Sequence, residues 1–204
     1  MAKVHSFAER AAWSRSMSGR LWWGECYRRA FGEGFTMQTI EVDGWAQRGG
    51  VDRKLTLPCG RDICIDEKVR EVEYGDVLLE FMSDEARKQP GWVNKSLIAE
   101  FIAYAVAPTG RCHLLPTLTL QRAWRHLGEG WKRRYGIIRV PNTSWITLCV
   151  PVPTVVVLDA IRDAMNVTMS PMDVPVTQAD LASGGDMRLL TAQPGEQLTL
   201  LPEP

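Results

Sequence analysis

Absences narrow this sequence first. No run of about 18 apolar residues is present, so no membrane-spanning helix is expected. No charge of one sign dominates: 24 Lys and Arg stand against 24 Asp and Glu, for a formal net charge of zero. At first sight that balance disfavours a nucleic-acid partner, which usually meets a basic excess. Cysteine is sparse and scattered. Cys26, Cys59, Cys64, Cys112 and Cys149 form no CxxC and no Cys/His cluster. This argues against a structural zinc site or a disulfide framework, and for reduced, mostly buried thiols in a cytosolic protein. His5, His113 and His126 are isolated, and His113 sits in an apolar stretch that suits a core histidine. No Ser-His-Asp order, GxGxxG, Walker A or HExxH pattern occurs. The first residues run through Glu9, Arg10, Arg15 and Arg20 without an apolar stretch, so no secretory signal is expected.

What is present suits a folded chain. Its 204 residues are 45% hydrophobic and 24% charged, enough for a real core and far from disorder. The zero net charge is a cancellation between regions. Residues 111–139 carry seven Lys and Arg against Glu129 alone, a net +6. Residues 159–204 carry Arg162 and Arg188 against seven acids, a net −5.

Periodicity gives a coarse map. Residues 6–31 read as a helix with Ser6 as its cap. Strands are expected over 36–42, 51–57, 62–69 and 77–81, the last apolar enough to lie inside a sheet. A polar loop covers 83–91, and a short helix is expected near 94–100. Residues 101–106 and 111–115 flank Pro108-Thr109-Gly110 as a hairpin. A helix follows over 117–134, a strand over 145–150 and a short helix near 155–164. After residue 167 periodicity fades, so 1–166 is read as the domain and 167–204 as a flexible acidic tail.

The first hairpin carries the chemistry. Val51, Leu55 and Leu57 share one strand face; Ile63, Ile65 and Val69 share one face of the next. Both apolar rows must meet one core, so odd residues pair with odd and even with even. Asp52, Asp66 and Lys68 then emerge together on the opposite, non-core face. Glu67 points the other way and needs a partner of its own or solvent. Two carboxylates suit a hard cation such as Mg²⁺, provided they lie within about 5 Å of each other. Such a cation lowers the pKa of bound water and polarises a phosphate. The Lys68 ammonium can orient that water or neutralise charge in the transition state. The same three residues also suit a solvated strand face with a cross-strand ion pair.

Asp52, thirteen intervening residues, then Asp66-Glu67-Lys68 in a hairpin resembles the PD-(D/E)xK nuclease superfamily. Val51 stands where the motif's proline would be. Gly49-Gly50-Val51-Asp52-Arg53, Asp76-Val77-Leu78-Leu79-Glu80 and Pro90-Gly91-Trp92-Val93-Asn94-Lys95 look like a phage and prophage nuclease-like subgroup. The resemblance runs over about residues 12–164. It implies an α/β fold with a central mixed β-sheet flanked by helices, restriction-endonuclease-like. It further implies Mg²⁺- or Mn²⁺-dependent cleavage of DNA in a bacterial cytoplasm, with Asp52 and Asp66 as metal ligands and Lys68 as the catalytic base or water-orienting group. Members often add an acid from the preceding helix. Glu25 is the candidate, with Glu9 and Glu33 as competitors. Glu80 can lie on the same side of the sheet as Asp66; a structural ion pair is its favoured role, and whether it or Glu25 joins the metal site is left open. Lys95 is a candidate phosphate contact.

Two further segments suggest partners. Arg122, Arg125, Lys132, Arg133 and Arg134 on the 117–134 helix are candidate nucleic-acid contacts, while Trp124 and Trp131 follow the apolar stripe and read as core. In the tail, Gln197, Leu198, Leu200 and Leu201 resemble the short peptides by which bacterial DNA-processing proteins bind the sliding clamp. The leading expectation is a metal-dependent DNA nuclease from a phage or mobile element. The alternatives are a non-catalytic DNA-binding or clamp adaptor on the same scaffold, and a phage structural or assembly protein.

Overall fold

The computed structural model describes residues 16–17, 20, 22–40 and 49–166. Glu9, the first half of the expected 6–31 helix, the acidic tail and the Gln197–Leu201 peptide lie outside the described residues. The architecture is mixed α/β, with two sheets and three helices among the described elements.

Helix α1 (Trp22–Phe31) leads to β1 (Thr36–Thr39), β2 (Arg53–Thr56) and β3 (Asp62–Arg70). These three strands pair antiparallel in order. The hairpin β6 (Phe101–Val106) and β7 (Arg111–Pro116) completes this first sheet, in the order β1-β2-β3-β6-β7. The β3/β6 pairing is parallel, which makes the sheet mixed.

The expected single central sheet is corrected here. Strand β4 (Asp76–Asp84) does not join β3. It forms a second, antiparallel sheet with β5 (Gln89–Pro90), β8 (Ile138–Pro141) and β9 (Ile146–Pro153), in the order β5-β4-β9-β8. The physical reason lies in β6, which takes the open edge of β3. The apolar row of β4 then pairs with β9, from far along the chain. Residues 94–100 form no helix: the Ile98 N–H bonds to the Gly49 carbonyl and the Glu100 N–H to the Cys64 carbonyl, which keeps this stretch extended.

Two cores follow from the alternation of β6. Ala103 and Ala105 face a small core with Leu55, Ile63 and Ile65, covered by Trp23 and Tyr27 of α1. Ile102 and Tyr104 face a larger core with Val77, Leu79, Phe81 and Val150 of the second sheet. Helix α2 (Thr117–Tyr135) adds Leu120, Trp124 and Trp131 to it, and helix α3 (Thr154–Met165) adds Val157 and Ile161. A strand covered on both faces reads as one apolar run, as Phe-Ile-Ala-Tyr-Ala-Val does. No described helix is long and apolar enough to cross a membrane.

Candidate active site

The β2/β3 register follows the parity expected from the alternation, with Arg53 opposite Ile65 and Leu55 opposite Ile63. Asp52 lies one residue before β2, and its N–H bonds to the Ile65 carbonyl at 2.9 Å. Asp52 therefore stands opposite Asp66. The Asp52 carboxylate is near enough to help raise the Asp66 pKa. Lys68, two residues along the same face, pairs with Asp66.

The environment of this face departs from expectation. It is not a non-core face. Asp66 is register partner to Ile102, whose side chain belongs to the larger core, and Asp66 is only 2% exposed. Parallel pairing with β6 brings that core up to the charged row. Burial, then the neighbouring Asp52 carboxylate, outweigh Lys68 and push the Asp66 pKa up to about 7. Burial of the Lys68 ammonium pulls its pKa down. The Asp66, Asp52 and Glu80 carboxylates outweigh this, so Lys68 ends above the ordinary lysine value. Its side chain remains 35% exposed and reaches solvent.

Asp52, Asp66 and Lys68 line a cavity of about 410 Å³ together with Glu80, Trp92 and Lys95. Glu80 comes from β4. The β4/β9 register shifts between Glu80 and Met82, an irregularity of the kind that re-aims side chains beside functional sites. The Glu80 carboxylate accepts the Trp92 N–H, and burial raises its pKa against the lowering effect of Lys68. Glu80 thus stands in the cavity wall on the same side as Asp66, facing the Lys68 charge.

The loop over the cavity is tightly fixed. The Gln121 amide of α2 donates to the Trp92 carbonyl at 3.0 Å and to the Lys95 carbonyl at 2.8 Å. A Cβ at Gly91 would come within 2.3 Å of the Glu80 carbonyl oxygen, so only glycine fits there. Gly50, at φ +69°, brings backbone to the rim of the cavity; a Cβ there would meet Leu97 at 2.7 Å and an Asp66 oxygen at 3.5 Å.

Other expected site residues lie elsewhere. Glu25 is not in the cavity. It sits on α1, pairs with Arg28 and with Arg29 at 2.7 Å, and borders a different cavity of about 750 Å³ with Cys26 and Cys112. The reason is topological: α1 covers the odd-numbered face of β3, through Trp23 and Tyr27. Glu33 pairs with Arg28 at 3.3 Å. None of Arg122, Arg125, Lys132, Arg133 and Arg134 lines the charged cavity. Arg125, Arg133 and Arg134 are exposed. Lys132 lies over the Phe81 ring at 4.4 Å and pairs with Glu129 at 2.6 Å. Trp124 and Trp131 are core.

Behind the carboxylates lies a network that the sequence reading missed. Glu67 is 8% exposed and accepts the Tyr27 hydroxyl at 2.7 Å, Arg53 Nε at 2.9 Å and Arg53 Nη2 at 3.1 Å. Burial raises the Glu67 pKa, opposed by those donors. The signal was available: an acid on the buried face needs a cation of matching parity on the next strand, and Arg53 is odd-numbered.

Among the described residues no group of three or more His, Cys, Asp or Glu is gathered as a ready-made metal site. Asp52 and Asp66, opposed on adjacent strands at one cavity, nonetheless fit Mg²⁺ or Mn²⁺, which binds through one or two carboxylates and keeps several waters. Two acids confined together are mutually repulsive, and a cation there relieves the repulsion. No protein-family model, curated protein or solved structure matches this chain.

Proposed function

We propose that this chain is a metal-dependent deoxyribonuclease of PD-(D/E)xK type, built on a restriction-endonuclease-like core made by the β1-β2-β3-β6-β7 sheet with α1 on one face. One observation carries the reading. Five charged side chains from four stretches, Asp52, Asp66, Lys68, Glu80 and Lys95, line one cavity, with Asp52 opposite Asp66 on adjacent strands. All five belong to segments that carry the resemblance to phage and prophage nucleases, which supplies DNA as the substrate and a bacterial cytoplasm as the setting.

Asp52 and Asp66 hold Mg²⁺ or Mn²⁺. The bound cation supplies an acidified water and charge neutralisation at the phosphate. Lys68, held protonated by three carboxylates, donates hydrogen bonds to the attacking water or to a phosphate oxygen as negative charge develops. A protonated ammonium is a poor base, so the charge-neutralising role is preferred to proton abstraction. Lys95 contacts a flanking phosphate, and Glu80 keeps the Lys68 ammonium turned toward the cavity.

The test is cleavage of plasmid, linear and branched DNA by purified protein with Mg²⁺ or Mn²⁺. Metal-dependent products are expected, and they are lost in Asp66→Ala and Lys68→Ala. Full activity in both variants, or no cleavage of any substrate, overturns the proposal. DNA binding without cleavage would instead identify a non-catalytic adaptor.

A further inference from the structure

We propose that Glu67, Arg53 and Tyr27 are positioning residues that set the spacing of the Asp52–Asp66 pair, an inference that rests on the metal-dependent reading above. The geometry is a closed ring. Arg53 follows Asp52 in the chain. The Arg53 guanidinium is held by the Glu67 carboxylate at 2.9 and 3.1 Å. The Glu67 backbone N–H then donates to Asp52 Oδ2 at 2.8 Å. Glu67 itself lies between Asp66 and Lys68. Any slip or twist of Asp52 against Asp66 must therefore break a bond in that ring.

Two outside anchors tighten it. The Tyr27 hydroxyl ties Glu67 to α1 at 2.7 Å, and Arg53 Nη1 bonds to Thr39 of β1. The Asp52 carbonyl accepts the Ile40 N–H at 2.9 Å. The residue that carries one carboxylate is thus gripped from β1, β3 and, through Glu67, α1. The ring also fixes one Asp52 oxygen, through the Glu67 N–H.

Stability alone does not account for this arrangement. Replacing a buried ion pair with apolar side chains of similar volume is often neutral or stabilising. What an apolar pair lacks is direction: it fills space without fixing the distance between neighbouring strands. Partners that orient metal ligands from behind commonly alter metal affinity by about 10- to 100-fold when removed.

The decisive experiment pairs Mn²⁺ titration, by calorimetry or electron paramagnetic resonance, with unfolding of each full-length variant. In Arg53→Met/Glu67→Leu the unfolding midpoint is expected near wild type, with Mn²⁺ affinity about tenfold weaker. Tyr27→Phe, which removes one hydroxyl and no charge, is expected to weaken Mn²⁺ in the same direction, and it decides the question if the double variant does not fold. Wild-type affinity in a folded variant of either kind overturns the proposal. If wild type itself binds no Mn²⁺, the metal-dependent reading fails. The ring is then judged in metal-free protein by hydrogen exchange at the Glu67 amide. Faster exchange there in Tyr27→Phe, with β9 unchanged, supports the ring; unchanged exchange at Glu67 overturns it.

Discussion

The two faces of β3 carry similar chemistry under opposite conditions. On the even face, Asp66 and Lys68 open onto a cavity, and Asp66 has the Asp52 carboxylate as a neighbour. On the odd face, Glu67 is sealed with Arg53 and Tyr27, and three donors meet its two oxygens. One acid is left with a like charge and a route to solvent; the other has every demand met inside the protein. A buried carboxylate with complete partners holds structure together, whereas one buried beside another acid is poised to take up a proton or a cation. Substitutions should therefore act oppositely on the two faces.

The largest effect is expected on the sealed side. Arg53→Met leaves the Glu67 carboxylate buried without its cation and should cost about 3–5 kcal/mol in urea unfolding. On the open side, Lys68→Met should slow cleavage by about 10²–10³-fold, read as kcat. Asp66→Asn should abolish cleavage yet stabilise the metal-free protein by about 1–3 kcal/mol above neutral pH. The sign follows from the raised pKa. The Asp66 contribution to stability is full below 3.8, declines as pH rises, and is lost through about 7. Asp66→Asn should flatten that decline in pH-dependent thermal melts, and wild-type Mn²⁺ affinity should rise across the same interval. Smallest is Lys95→Ala, expected to weaken DNA binding uniformly and to lower the salt-dependence slope by about one unit.

Much of the even face was legible because strand alternation is strict. Parity alone brought Asp52, Asp66 and Lys68 together, and residues 101–106 and 111–115 were legible as a hairpin. What covers β3 was not legible, since its parallel pairing with β6 joins residues 65–70 to 101–106 across an intervening β4. That pairing is why the supposed outer face adjoins a core. Glu25 was misassigned for a related reason: a helix acid near a hairpin in sequence can lie behind either face of the sheet, and Tyr27 and Trp23 commit α1 to the odd one. Residues 94–100 carry a helix-like composition, but the Ile98 and Glu100 N–H groups bond to Gly49 and Cys64 instead. That Glu80 can share the Asp66 side was legible; the β4/β9 pairing that carries it there was not.

The β4/β9 pairing also sets an order of assembly. The β2/β3 hairpin closes between neighbours in the chain, so its two carboxylates can meet early, while still hydrated. The wall that carries Glu80 has only the two-residue β5 as a nearby partner, and its long partner ends at Pro153. Contacts between such distant segments form slowly. A nascent chain therefore holds its acidic pair long before it holds the pocket, which closes only once the β9 segment has been made.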